Sequence, residues 1–194
     1  NLDGSALSEF FKAPNQLRMT QLYVPRIQAQ QAPKEFNVEG QVQGRRWVIS
    51  YQGTVVPAKS GRYRFVGFSD DVLVVLVDNR VVLDGSLASP SGGKRRQSFQ
   101  QTHTPKGWKT FEGKIITVRE GIPINLKVLI GERPGGHFSG YLLIDKVGED
   151  YRKDSNGSPI LPLFKLAPSG MPSRGETLPD LAPDTPWSVW RTKS

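Results

Sequence analysis

The sequence predicts an all-β protein, an antiparallel β-sandwich or barrel. Apolar and polar residues alternate with a period of two over several stretches, which is typical of half-buried antiparallel strands. Turn-forming residues separate these stretches at short intervals, and a helical period is confined to the start of the chain. The chain has 194 residues, which is enough to bury one full core.

The elements follow in a simple order. The opening stretch "SALSEFFKA" predicts a short helix within residues 1–16, with a serine as its cap. From residue 46 the period changes to two, and in "WVISYQG" the side chains of Trp47, Ile49 and Tyr51 share one face. The segments "RYRFVGF" and "INLKVLI" alternate in the same way. Each of these segments is therefore predicted to be a strand of one sandwich over residues 17–150.

Turns and longer connections separate the strands. "PAKSG" predicts a turn after the first strand, and "DNR" predicts a tight hairpin in which Asn79 takes the left-handed conformation. A basic loop at about 86–109 has no clear period, and loops this long are functional or disordered.

The last segment, residues 151–194, is predicted to be an irregular proline-rich extension. It contains two apolar motifs, "ILPLF" and "WSVW". We expect both motifs to lie along the surface of the domain or to await a partner.

Composition excludes several classes of site. The chain has no cysteine, so a disulfide framework, a thiolate zinc site and a cysteine nucleophile are ruled out. Its longest aliphatic run, "VLVVLV", is far too short to cross a bilayer. No basic or apolar leader follows Asn1, and we expect any export signal to lie outside this sequence.

The net charge of +8 is unevenly distributed. No acidic residue occurs between Glu39 and Asp70, nor between Asp84 and Glu112, although both windows contain Arg and Lys. Such asymmetry suits a polyanionic partner, or else a solvated basic face. No nucleic-acid-binding motif is present, so nucleic acid is not the expected partner.

Two segments read together resemble the PA14 domain. They are "YQGTVVPAKSGRYRFVGFSDDVLVVLVDNRVVLDGS" and "GIPINLKVLIGERPGGHFSGYLLI". The order of features carries the resemblance: a strand ending in Gly53, a Ser-Gly turn, an aromatic strand, the pair Asp70-Asp71, a hairpin, and later a Gly-X-Pro strand. The resemblance covers roughly residues 17–147. It implies a β-sandwich module, usually extracellular.

The resemblance also implies a possible role for the aspartate pair. In lectin members of the PA14 family the paired aspartates, joined by a cis peptide bond, bind calcium that holds sugar hydroxyls. Asp70 and Asp71 supply the carboxylates that calcium requires. A lectin-type site also needs Asn or Asp from a second loop, whereas the loop from Gly131 to Gly140 offers Glu132 and neither of those types. The other interpretation is that one aspartate accepts backbone N–H bonds at the strand end and the other is solvated.

The basic loop provides a second candidate site. Basic and aromatic side chains interleave there, an arrangement that suits an anionic glycan or stacking on a sugar. The candidate carbohydrate- or anion-binding residues are Lys94, Arg95, Arg96, His103 and Trp108. A solvated loop is the alternative.

Catalysis is not expected. The two histidines, His103 and His137, lie in loops without a surrounding motif. Asp70 and Asp71 are adjacent, whereas glycosidase carboxylates face each other across a cleft.

The function predicted from sequence is a non-catalytic, exported module for binding or assembly, secreted, periplasmic or at the cell surface. The first interpretation of this function is a structural or protein-interaction module, in which the aspartate pair only shapes a turn. The alternative is a calcium-assisted carbohydrate-binding module that uses Asp70 and Asp71. An accessory domain of a glycoside hydrolase is a distant third. The expected partner is a glycan or a protein at the cell surface.

Overall fold

The structure is a computed structural model that describes residues 19–87, 101–103, 109–133, 135–155, 157–168 and 179–193. The helix predicted within residues 1–16 lies outside the described residues. Strands dominate the described part, with a 3-10 turn at Ala29–Gln31 and one short helix, α1, at Ala32–Glu35. The strands are β1 (Tyr23–Gln28), β2 (Trp47–Val56), β3 (Gly61–Asp70), β4 (Val72–Val77), β5 (Arg80–Asp84), β6 (Gln101–His103), β7 (Lys109–Glu112), β8 (Ile116–Val118), β9 (Ile124–Glu132), β10 (His137–Lys146) and β11 (Arg191–Thr192).

The strands form two antiparallel sheets. The first sheet has the order β1-β10-β3-β7-β6, with β8 also paired to β3, and the second has the order β11-β2-β9-β4-β5. The two sheets pack face to face around one hydrophobic core. The predicted all-β antiparallel sandwich is therefore confirmed.

Alternation in the sequence sets which residues face the core. Trp47, Ile49 and Tyr51 in β2 all pack against it, as their shared face predicts. Tyr63 and Phe65 in β3 are fully buried on the inner face of the first sheet. The period of two therefore identified the inner faces of both strands.

The hairpin between β4 and β5 has the predicted turn. Asp78 and Asn79 both have positive φ, 47° and 63°. Two successive left-handed residues give the turn whose twist matches that of an antiparallel pair. The Asp78 carboxylate also accepts a hydrogen bond from Asn125 N at 3.0 Å, which fixes the turn against β9.

The proline-rich extension joins the two sheets. Its first part runs beside β10, where Ile144 N donates to Pro162 O at 3.1 Å and Phe164 N donates to Leu142 O at 2.9 Å. Its last part pairs with the second sheet, because β11 lies against the end of β2. Apart from β11 the described extension makes isolated bridges only, so the prediction that it is irregular is confirmed.

The predicted surface position of "ILPLF" and "WSVW" is wrong. Leu163 and Phe164 are buried, and Trp187 and Trp190 are 4% and 0% exposed. The extension runs beside the second half of β10 and the end of β2, and its apolar side chains are part of the core between the two sheets. Burying a large apolar side chain contributes about 1.5 to 3 kcal/mol, which favours docking over an exposed tail.

Aromatic contacts and one ion pair hold the extension in place. The Trp190 ring packs edge-to-face against Tyr63, Phe65 and Phe164, with ring centroids 5.6, 6.0 and 5.4 Å away. Lys165 is fully buried, and its Nζ lies 2.9 Å from a carboxylate oxygen of Asp184. We call this part of the sandwich, residues 61–65, 160–166 and 187–192, the tryptophan end.

Candidate functional site

The aspartate pair lies at the other end of β3, where several connections meet. The turn from β3 to β4, the start of the connection after β5 and the hairpin between β9 and β10 all lie there. We call residues 69–72, 85–87, 131–133 and 135–139 the aspartate end. Backbone hydrogen bonds join its parts: Asp71 N donates to Gly131 O at 3.1 Å, and Leu87 N donates to Asp71 O at 2.9 Å.

The two aspartates interact with each other. The peptide bond between Asp70 and Asp71 is cis, as the resemblance implies. Burial first, then the negative charge of Asp71 and a hydrogen bond to its carboxyl group, raise the pKa of Asp70 to about 6, while the positive charge of Arg26 lowers it. The two carboxyl groups therefore face the same region, and holding both of them ionised is unfavourable there.

Asp71 has a structural contact as well. Its Oδ2 accepts a hydrogen bond from Arg133 N at 2.7 Å, across the turn from the β9–β10 hairpin. This is the type of bond that the turn-forming interpretation predicts. One oxygen of Asp71 thus fixes the hairpin.

Glu132 is the third carboxyl group at this end. It is 4% exposed, and its Oε1 accepts a hydrogen bond from Gly135 N at 3.1 Å. Burial, followed by the charge of Asp71, raises its pKa to about 7, while Gly135 N and the charge of Arg45 lower it. Its Oε2 is buried and has no hydrogen-bond partner among the described residues. The sequence places Glu132 in the loop from Gly131 to Gly140, but the alternation of apolar and polar residues does not show that the Glu132 side chain turns inward.

Two buried hydroxyl groups lie beside the pair. Ser69 precedes Asp70 in β3, and Ser139 of β10 lies opposite Asp70 in the antiparallel register. Both serines are at most 1% exposed, and neither Oγ has a hydrogen-bond partner in the described part of the chain. Buried polar groups are nearly always satisfied in folded proteins, so such groups next to a carboxyl pair mark a candidate site.

The donor set fits calcium in atom type and charge. Hard carboxylate oxygens are the ligands that calcium prefers, and a divalent cation would remove the repulsion between Asp70 and Asp71. Over the described residues, no group of three or more His, Asp or Glu side chains could together hold a metal ion. Calcium bound here would therefore take oxygen ligands from backbone, water or a bound molecule in addition to the pair.

Three polar side chains of β1 and β10 contact each other at the edge of the first sheet. Gln28 and His137 lie opposite each other in the register of the two strands. Arg26 Nη2 lies 3.3 Å from His137 Nδ1, and Gln28 Nε2 lies 3.2 Å from His137 Nε2. Arg26 and Gln28 are exposed and His137 is half-buried. We call Arg26, Gln28 and His137 the arginine ledge, a feature that sequence analysis did not select.

The basic loop is placed only in part. Lys94, Arg95, Arg96 and Trp108 lie outside the described residues, and of His103 the structure describes the backbone within β6, at the edge of the first sheet. The loop begins at the aspartate end, since Leu87 N also donates to Ser69 O at 2.9 Å. The anion-binding role of the loop stays a prediction.

No helix in the described ranges is long and apolar enough to span a membrane. Comparison of the sequence with models of known families finds no match, and comparison with curated proteins finds none either. Solved structures, in contrast, include folds similar to this one.

One similar structure is the PA14 sugar-binding domain of an RTX adhesin, with 14% identity and a TM-score of 0.51 over 78% of this chain and 84% of that one. Another is the PA14 domain of an antifreeze protein, with 14% identity and a TM-score of 0.47 over 69% of this chain and 67% of that one. A β-glucosidase from Kluyveromyces marxianus has 19% identity and a TM-score of 0.39, over 54% of this chain and 11% of that one. The first similarity establishes the fold: the chain has a PA14-like fold, as its sequence resemblance predicted.

Proposed function

Starting from the PA14-like fold, we propose that this chain is a non-catalytic carbohydrate-binding module that holds its sugar at the aspartate end with the help of calcium. The facing carboxyl groups of Asp70 and Asp71 carry the proposal. The RTX adhesin domain with the same fold is described as sugar-binding, which supports the same class of ligand here. An exported location, secreted, periplasmic or at the cell surface, is part of the proposal.

Each residue has a definite part in this function. Bound calcium would supply positive charge and coordination positions for sugar hydroxyls. Asp70 and Asp71 would hold the ion, and the backbone bonds of Asp71 to Gly131 and Leu87 would keep its carboxylate in position. Glu132 adds a third carboxyl group that interacts electrostatically with both aspartates, and a bound cation would favour its ionised form.

A second function is favoured by one observation. The bond from Arg133 N to Asp71 Oδ2 is what a purely structural pair would make. In that case the chain is a structural or protein-interaction module, and the aspartate pair only fixes the hairpin. The two functions differ in whether a cation stabilises the folded state.

Thermal unfolding with excess calcium and with EDTA tests the proposal. A ligand that binds only the folded state stabilises it by RT ln(1 + [L]/Kd), which is about 2.7 kcal/mol at a hundredfold excess over Kd. We expect calcium to raise the melting temperature of the native chain. Asp71→Asn should abolish the shift, whereas Asp150→Asn, which removes the same charge at an exposed position, should preserve it.

A melting temperature indifferent to calcium would contradict the calcium-assisted function and favour the structural module. The Asp71→Asn variant separates the two possibilities further. Under the structural function it loses stability in EDTA through a weakened turn, with no change in its response to calcium.

A further inference from the structure

The arginine ledge lies beside the proposed calcium site and has a defined geometry. The bulge in β1 between Val24 and Ile27 leaves both Arg26 and Gln28 exposed at the edge of the first sheet. His137 contacts both of them through its two ring nitrogens. The imidazole of His137 therefore lies between the Arg26 and Gln28 side chains and joins the three into one polar surface.

The ledge brings positive charge to a site that is proposed to hold a cation. Arg26 lies in the β1 segment between the register pairs Val24–Gly140 and Ile27–Phe138, so it faces the part of β10 that contains Ser139, and Ser139 lies opposite Asp70 in β3. A bare calcium ion at the pair is repelled by the Arg26 guanidinium group. A calcium ion that is accompanied by an anionic group is not repelled in this way, because the anion interacts favourably with both the calcium ion and the arginine. The charge arrangement thus selects for a negatively charged ligand.

The number of ligands that calcium takes leaves room for such a group. Calcium takes six to eight oxygen ligands, and no group of three or more acidic or histidine side chains is assembled among the described residues. An anionic group on a bound sugar supplies oxygen atoms and negative charge together. A guanidinium group binds carboxylate and sulfate through paired N–H donors that lie in one plane.

We propose that the ligand is an acidic sugar, whose carboxylate or sulfate group contacts Arg26 while the sugar is held at Asp70 and Asp71. This inference rests on the proposed carbohydrate-binding function and specifies its ligand class. The net charge of +8 acts in the same direction, since it attracts polyanions over longer distances.

Binding to an array of neutral, uronic-acid and sulfated glycans in calcium tests this class. We expect retention on acidic glycans, and the uronic-acid and sulfated arms identify which anionic group is recognised. Retention on neutral glycans alone would overturn the acidic-sugar proposal and leave the carbohydrate-binding function intact. Retention on none of the glycans would overturn both.

An arginine substitution separates recognition from folding. Arg26→Gln should weaken binding of the retained acidic glycan at least tenfold, and should leave unchanged or strengthen the binding of calcium alone, measured by calorimetry. Arg119→Gln removes the same charge from an exposed arginine outside the aspartate end. This control should change neither the binding of the acidic glycan nor the binding of calcium. If Arg26→Gln weakens calcium and glycan binding equally, Arg26 has only a structural role and the proposal is wrong.

Discussion

The two ends of the sandwich differ in whether their buried polar groups have hydrogen-bond or ion-pair partners. At the tryptophan end, the buried Lys165 ammonium pairs with Asp184, and Trp190 Nε1 donates to Trp187 O at 3.2 Å. At the aspartate end, the hydroxyl of Ser139 and one oxygen of Glu132 are buried without a partner among the described residues.

This difference separates two kinds of requirement. Within residues 61–65, 160–166 and 187–192 no described side-chain polar atom is buried without a partner, although Thr185 Oγ1 just outside them is. The tryptophan end therefore contributes stability without any ligand. The aspartate end retains repulsion and unsatisfied groups that a bound ion and sugar would relieve. Proteins commonly carry such local costs at functional sites because the rest of the fold offsets them.

The largest effect is expected from removing the centre of the tryptophan end. Trp190→Ala deletes a fully buried ring that packs against Tyr63, Phe65 and Phe164, and should lower the free energy of unfolding by about 3 to 5 kcal/mol. Urea denaturation measures this loss. Ile122→Ala, at a residue that is 56% exposed, should change stability by less than about 0.5 kcal/mol. Equal losses in the two variants would mean that the extension is not docked.

The buried ion pair should give the next largest effect. Asp184→Ala removes the carboxylate that pairs with the buried Lys165 and should cost about 2 kcal/mol, less than for a fully buried pair because Asp184 is 29% exposed. Glu149→Ala is the matched control, since it breaks the more exposed pair with Lys146 and should cost at most about 1 kcal/mol. The comparison fails if the two variants unfold at the same denaturant concentration.

Two buried serines offer a comparison within the aspartate end. Ser86 Oγ accepts a bond from Leu73 N at 3.0 Å, so Ser86→Ala leaves that N–H unsatisfied and should cost about 1 to 3 kcal/mol. Ser69 is equally buried, but its Oγ has no partner in the part of the chain described. Ser69→Ala should therefore leave stability in EDTA nearly unchanged. A loss similar to that of Ser86→Ala would show that the Ser69 hydroxyl is satisfied after all.

The last expected effect is a dependence of stability on pH. The pKa values of Asp70 and Glu132 are raised in the folded state to about 6 and about 7, above their ordinary values of 3.8 and 4.5. At pH values between the ordinary and the raised pKa values, the folded state binds more protons than the unfolded state. Stability in EDTA therefore rises as pH falls from about 7 towards 4. Asp70→Asn should flatten this rise, as measured by melting temperature across that range. An unchanged slope would mean that Asp70 does not titrate as described.

Local pattern predicted most of the sandwich. The alternation through Trp47, Ile49 and Tyr51 and the turn at Asn79 depend on neighbouring residues only, and the structure reproduces both. The order of features around Asp70 and Asp71 predicted the PA14-like fold, because a specific turn between two strands leaves a recognisable sequence.

The parts that sequence did not predict depend on distant contacts. Trp190 is buried by side chains of β3 and of the extension, which are far apart in sequence. An apolar motif among prolines, taken alone, therefore predicts only a surface position. Strand register and the bulge in β1 place Glu132 and Arg26 on the strands that surround the aspartate pair, and alternation along one strand does not encode this. Lys94, Arg95, Arg96 and Trp108 lie outside the described residues, so their part in the site stays a prediction.

The position of the docked extension has a consequence for how the chain folds. Trp187 and Trp190 complete a core whose other members, such as Tyr63, are synthesised much earlier, and β11 pairs with β2 from the first half of the chain. Contacts between residues so far apart in sequence slow folding, because the intervening chain must be ordered before they form. The core of the sandwich is therefore incomplete until residues 187–192 have been made, and we expect a chain that ends after β10 to fold poorly.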